Sequence, residues 1–161
     1  AMSHTAYVAL GANLDDPQTT VRLALGELAQ LPQSRLRASS SLYRTAPVGL
    51  AGQPDFINAV AELATELDAD NLLDGLFAIE RRFGRIRAEK NGPRTLDLDL
   101  LLYDDLVCDT PHLHLPHPRL HLRAFVVVPL AEIAPASLIP GRGAVAAWLP
   151  AVANQQIERL P

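Results

Sequence analysis

The chain has 161 residues, 48% hydrophobic and 20% charged, with a formal net charge of −4 and one cysteine, Cys108. That length suits one domain with a buried core, read here as residues 1–161. The acidic balance argues against nucleic-acid binding, the lone cysteine rules out an intramolecular disulfide and fits a cytoplasmic setting, and no apolar run reaches membrane-span length.

Leaving aside Ala1, which precedes Met2, the first element is a short strand over Tyr7 to Leu10, ended by Gly11-Ala12-Asn13. Asp15-Asp16-Pro17 is a helix start, a carboxylate cap followed by proline in the first turn. Val21, Ala24 or Leu25, Leu28 and Leu31 then recur at helical spacing, and Pro32 closes the segment. From Arg35 to Thr45, Leu36, Ala38, Ser40 and Leu42 alternate with polar positions, which predicts a strand. A loop rich in proline and glycine runs from Ala46 to Pro54.

Phe56 to Leu67 reads as the next strand, and Asp68 caps a helix over Ala69 to Phe83 with Leu72, Leu76, Ile79 and Phe83 on one face. A basic loop follows from Gly84 to Gly92, and then a strand from Leu96 to Tyr103. The order β-α-β-β-α-β is the split-βαβ, ferredoxin-like arrangement, an α+β fold. Its antiparallel sheet carries the helices on one face and leaves the other free for a ligand. Helices near Leu122 to Ile133 and Val145 to Leu149, and a terminal strand, complete the chain as C-terminal additions.

The strongest chemical signal lies in the last core strand. Alternate side chains of a strand share a face, so Asp97 and Asp99 project together while Leu96, Leu98 and Leu100 face the core. A strand this apolar is expected to be central and buried. Two adjacent carboxylates repel and are costly to bury, and a hard divalent cation resolves both problems. Mg2+ is commonly held by two carboxylates and substrate phosphates. The competing account is a pair of structural acids bridged to arginines, a poor use of buried charge. Arg94, just upstream, offers a planar fork suited to phosphate. With Arg85 and Arg87 it forms a basic loop between Gly84 and Gly92 that reads as a flap over phosphates, whereas Arg81 and Arg82 suit the dipole of the helix end.

Other signals are weaker. His112-x-His114 and His117-x3-His121 invite a zinc reading, but the spacing and intervening prolines fit it poorly. His117, on the stiff Leu115-Pro116-His117-Pro118 stretch, is the histidine best placed to meet a ligand. Phe56 and Asn58 share a strand face. With Phe125 they could either fill the core or clamp a flat heterocycle, and residue chemistry alone leaves that choice open.

The run Asn91-Gly92-Pro93-Arg94-Thr95-Leu96-Asp97-Leu98-Asp99-Leu100-Leu101 closely resembles the signature of the 6-hydroxymethyl-7,8-dihydropterin pyrophosphokinase family. The likeness extends over nearly the whole chain. Val8 to Leu14, Ser41 to Gly49, Gln53 to Asn58, Ile79-Glu80-Arg81, Gly84 to Arg87 and Leu115 to Arg119 resemble further family motifs in order. The resemblance implies a ferredoxin-like fold and Mg-dependent transfer of pyrophosphate from ATP to the pterin hydroxymethyl group, releasing AMP, in folate biosynthesis.

By similarity, Asp97 and Asp99 would hold two Mg2+ ions. Phe56 and Phe125 would sandwich the pterin, with Asn58 and the backbone around Thr45, Pro47 and Val48 reading its edges. Glu80, Arg85, Arg87, Arg94, His117 and Arg123 would border or contact ATP, with Arg85 and Arg94 also acting in catalysis. Some members carry Trp where this chain has Asn91, and a tyrosine where it has Pro118. The expected protein is a monofunctional cytoplasmic monomer acting on small molecules, away from nucleic acid and membrane. Another Mg-dependent transferase, such as a nucleotidyltransferase, and a non-catalytic ligand-sensing module are the alternatives.

Overall fold

The computed structural model describes residues 3–47, 52–84 and 95–161. Val48, Arg85, Arg87, Asn91 and Arg94 therefore lie outside the described residues. The core runs β1 (His4–Ala12), α1 (Pro17–Ala29), β2 (Ser34–Ser39), β3 (Tyr43–Thr45), β4 (Phe56–Thr65), α2 (Ala69–Arg82) and β5 (Asp97–Tyr103). Beyond it come the two-residue strands β6 (Cys108–Asp109) and β7 (His114–Leu115), helix α3 (Ala124–Ile133), the two-residue strands β8 (Leu138–Ile139) and β9 (Gly143–Ala144), and β10 (Ile157–Arg159). Short 3-10 turns span Leu120–Leu122, Val145–Trp148 and Pro150–Val152.

The main sheet is antiparallel, in the order β10-β3-β4-β1-β5, with β2 also paired to β4. Counting β2 and β3 as one interrupted strand, this is the expected ferredoxin-like order. Both helix caps are where the sequence places them. Asp16 accepts from the Thr19 N–H at 3.3 Å, and Asp68 accepts from the Asn71 N–H at 2.8 Å. Val21, Ala24 and Leu28 of α1 and Leu72, Leu76 and Ile79 of α2 pack on Val8, Leu10, Ala59, Leu63, Leu98 and Leu100 of the sheet.

Three expectations need correcting. The segment from Arg35 to Thr45 is two strands, because Ser40 breaks the ladder: its backbone N–H donates to the Val60 carbonyl, and its hydroxyl accepts from the Val60 N–H. The strand β5 is at the edge of the sheet, not its centre. Its apolar residues are still buried because α2 covers one face and the stretch ending at His117 covers the edge, where the His117 N–H donates to the Leu101 carbonyl. The second sheet face is only partly open. Helix α3 packs Val126 and Leu130 against Tyr7, Val60 and Leu101, and Glu132 accepts from the Tyr43 hydroxyl at 2.6 Å. What remains uncovered is the end of that face beyond α3.

Candidate active site

The uncovered end of the sheet is a cavity of about 620 Å³. Its floor follows from strand register. Gly11 of β1 pairs with Asn58 of β4 on one side and Asp97 of β5 on the other. Ala9 likewise lies between Val60 and Asp99. Small residues on the middle strand thus separate an amide from two carboxylates, with Asn58 and Asp97 two strand spacings apart, roughly 9–10 Å. A flat ligand could lie over Gly11 and reach both.

Asn58 is only 6% exposed, and so is its partner Thr45. The Thr45 hydroxyl donates to Asn58 Oδ1 at 2.6 Å, which commits that oxygen and leaves Nδ2 on the side of Gly11. A Cβ built on Gly11 would meet Asn58 Nδ2 at 2.9 Å. Any side chain at position 11 would therefore have to push that amide aside, although the residue lies inside a strand. Asn13, at the end of β1, donates to Gln53 Oε1 and the Pro54 carbonyl, which holds the chain entering β4 beside the cavity.

Thr45, Pro47, Phe56, Asn58, Asp97, Asp99, Arg123 and Phe125 all line the cavity. Asp97 and Asp99 are half-buried and emerge from the same face of β5. The Arg123 guanidinium lies over the Phe125 ring, 5.3 Å from its centroid, so the cation and one aromatic wall are held together.

Two candidates lie elsewhere. Glu80 is 3% exposed, and its Oε2 accepts from the Leu98 N–H at 2.7 Å. His117 lines a separate recess with Cys108, Asp109, His114 and Arg142. Its Nδ1 accepts from the Arg119 N–H at 3.2 Å, so the neutral ring presents Nε2–H.

Burial pushes His117 from its ordinary 6.5 down to about 4, helped by the positive charges of Arg123 and Arg119 and opposed by Asp97. Its folded-state pKa is depressed, so between about 6.5 and about 4 the unfolded chain takes up a proton that the folded chain refuses. Stability is therefore expected to fall as pH drops through that window. Urea midpoints from pH 7 to pH 4 check this: His117→Asn should flatten the profile, and parallel profiles would assign the loss to other groups.

Arg119, Gln155 and Gln156 also line the cavity, and sequence reasoning did not single them out. Gln155 Oε1 accepts from the Ala124 N–H at 2.8 Å, and its Nε2 donates to the Leu122 carbonyl at 2.8 Å. Gln155 thus caps the start of α3 and steadies Arg123, which has no side-chain cap bond of its own there. Arg119 could have been found from its place after the Pro118 stretch. No local signal marks the glutamines, which reach the cavity because β10 pairs with β3.

The His112/His114 zinc reading gains no support. His114 pairs with Asp109 at 2.6 Å on the surface, and among the described residues no group of three or more His, Cys, Asp and Glu could hold a metal ion. The Asp97/Asp99 pair does fit Mg2+, which takes one or two carboxylates and leaves its other positions to phosphate and water.

Residues 7–135 match the family model described as 7,8-dihydro-6-hydroxymethylpterin-pyrophosphokinase. A Pseudomonas aeruginosa protein named 2-amino-4-hydroxy-6-hydroxymethyldihydropteridine pyrophosphokinase is 46% identical over 160 residues, covering 99% of this chain and 99% of that protein. A Haemophilus influenzae protein of the same name is 46% identical over 136 residues, covering 84% and 85%. The solved structure of Plasmodium falciparum HPPK-DHPS, wild type with pterin and p-hydroxybenzoate, superposes with a TM-score of 0.72 at 13% identity. That match covers 92% of this chain and 43% of the other, and it bears on fold alone.

Proposed function

The chain belongs to the 7,8-dihydro-6-hydroxymethylpterin-pyrophosphokinase family, and we infer from this that it transfers pyrophosphate from ATP to the hydroxymethyl group of 6-hydroxymethyl-7,8-dihydropterin, releasing AMP, in folate biosynthesis. The observation that carries this reading is one cavity lined by both an aromatic-and-amide cluster (Phe56, Phe125, Asn58 and Thr45) and a carboxylate pair (Asp97 and Asp99). A nucleotidyltransferase would use the acids but would have no need of the flat slot. A sensing module would use the slot but would have no need of the acids.

Phe56 and Phe125 are assigned to the two faces of the pterin, and Asn58 to its edge, with the backbone at Thr45, Pro47 and Val48 completing the recognition. Asp97 and Asp99 would hold Mg2+, two ions in our reading, which when bound would offset the charge of the triphosphate. Arg123 lines the same cavity and lies over Phe125, and its guanidinium is assigned to phosphate oxygens. Arg85, Arg87, Arg94 and His117 are assigned to the phosphates as well, with Arg85 and Arg94 stabilising the oxygens of the transferring group. The pterin hydroxyl oxygen forms a new bond to the β-phosphorus as the bond from that phosphorus to the α,β-bridging oxygen breaks; AMP leaves with the bridging oxygen, and the hydroxyl proton is released to solvent. Such chemistry asks the protein mainly for alignment and charge stabilisation. Among the described residues no helix is long and apolar enough to cross a membrane. Cytoplasmic location, a monomeric state, a single domain over residues 1–161 and no dealings with nucleic acid complete the proposal, supported by the lone Cys108 and the net charge of −4.

Incubation with ATP, Mg2+ and the reduced hydroxymethylpterin tests the reading: AMP is expected in step with pterin diphosphate. Release of inorganic pyrophosphate would favour the nucleotidyltransferase, and no product under any divalent metal would favour the sensor.

A milder probe of the slot is Gly11→Ala. The added methyl must displace the Asn58 amide, so pterin affinity is expected to fall by about 10- to 100-fold, the equivalent of an overpacking cost of about 1–3 kcal/mol. Calorimetric titration with pterin and with a non-hydrolysable ATP analogue checks this, and the ATP affinity should hold. Equal losses for both ligands would point to a general distortion of β1.

A further inference from the structure

Leu98 lies between the two acids, and its backbone N–H turns away from β1 toward the outer edge of β5. Leu98 is 3% exposed, so that N–H has no water to fall back on. Its partner is the Glu80 carboxylate, itself 3% exposed, at 2.7 Å. Glu80 sits in the last turn of α2, where Leu76 and Ile79 are core residues, and a leucine there would bury more cheaply than a carboxylate. A bond from N–H to carboxylate is roughly twice as strong as one between neutral groups, and this one closes a separation of 18 residues. The chain passes from Gly84, just beyond α2, to Thr95, just before β5, through the basic stretch that contains Arg85, Arg87 and Arg94. The bond from Glu80 to Leu98 therefore joins the last turn of α2 to the start of β5, at the residue between Asp97 and Asp99.

We propose that Glu80 is a positioning residue: its carboxylate, acting through the Leu98 N–H, fixes the segment of β5 that carries Asp97 and Asp99 and so sets how tightly that pair engages the cation and triphosphate. This rests on reading the pair as the Mg-triphosphate site, and it replaces direct contact of Glu80 with ATP.

Glu80→Leu removes the acceptor, whereas Glu80→Gln keeps a carbonyl oxygen at the same reach. Amide hydrogen exchange of the full chain, read by NMR at Leu98, is expected to show at least about 10²-fold less protection in Glu80→Leu than in the wild type. In turnover, the Mg2+ concentration for half-activation and the KM for ATP should rise by about tenfold or more in Glu80→Leu, while pterin affinity without nucleotide stays within about twofold. Glu80→Gln should remain within about threefold of the wild type in every readout, because it preserves the bond.

Unchanged Leu98 exchange in Glu80→Leu overturns the proposal. So does a glutamine variant as impaired toward metal and ATP as the leucine variant, since the carboxylate charge rather than the bond to the Leu98 N–H would then be what matters. Should Glu80→Leu not fold, Leu98 of the wild type decides: a rapidly exchanging amide refutes the bond, and a protected one that stays protected in Glu80→Gln supports it. Absence of AMP from the wild type would defeat the functional reading while leaving the exchange result at Leu98 standing.

Discussion

Asp97→Ala and Asp99→Ala are each expected to lower kcat by on the order of 10³-fold or more, while the fold is retained and Tm moves by only a few degrees. Leu96, Leu98 and Leu100 hold β5 on the core, while the two aspartates stand half-buried on the opposite face, at the wall of the cavity. Truncating either acid therefore removes no core contact. Each acid also faces the Arg123 guanidinium, so truncation exchanges repulsion within the pair for a weaker attraction to that cation. Function should suffer because the pair is read as the anchor of the cation, and one carboxylate left alone holds Mg2+ less firmly and in a different place. AMP formation at saturating ATP and pterin, across a Mg2+ titration, is the measurement, paired with thermal melts. A variant that turns over like the wild type would remove the metal assignment. A variant that melts many degrees lower and regains activity on cooling would show instead that the acids are structural partners of the arginines.

Legibility in the sequence divided along a physical line. Features set by the local period of the chain were readable. Alternation in β5 placed Asp97 and Asp99 on one face and the leucines on the other, and alternation in β4 put Phe56 beside Asn58. Asp16 and Asp68 cap helices because a short carboxylate before the first turn has an orphan N–H to accept from. Features set by neighbours across the fold were not readable. An apolar strand looks central in sequence, yet β5 is an edge strand, closed by Glu80 and by the chain at His117. The period-2 pattern runs through Ser40 unbroken, while the Ser40 hydroxyl takes over a ladder bond and splits the strand. The reason for glycine at position 11 exists only when Asn58 lies alongside it, and Gln155 matters only because β10 returns the tail to β3. The resemblance supplied the pterin as the flat ligand, since Phe56, Asn58 and Phe125 alone fitted a core equally well.

Asn58→Leu is expected to weaken pterin binding by about 10²-fold while leaving the affinity for a non-hydrolysable ATP analogue within about threefold. The two side chains are similar in size, so the change removes polarity rather than volume. In the wild type, Asn58 Oδ1 is committed to the Thr45 hydroxyl, and the amide is held against Gly11 at the cavity floor. A heterocycle seated between Phe56 and Phe125 surrenders its water at that edge and recovers the hydrogen bonds only from the buried amide. With leucine in place, both the ligand edge and the Thr45 hydroxyl lose a partner away from water, at about 1–3 kcal/mol for each stranded group. The Thr45 share should appear as lower stability and the ligand share as lost affinity, so melting and binding report separate parts of the same change. Asn58→Asp makes the contrast. It still accepts from Thr45, which should restore much of the stability, but it exchanges the amide donors for a charge one strand beyond Gly11 from Asp97. Pterin binding should therefore stay weak in both variants while stability recovers only in the aspartate. Recovery of binding together with stability would make Asn58 a scaffold for the loop at Thr45 rather than the group that reads the ligand.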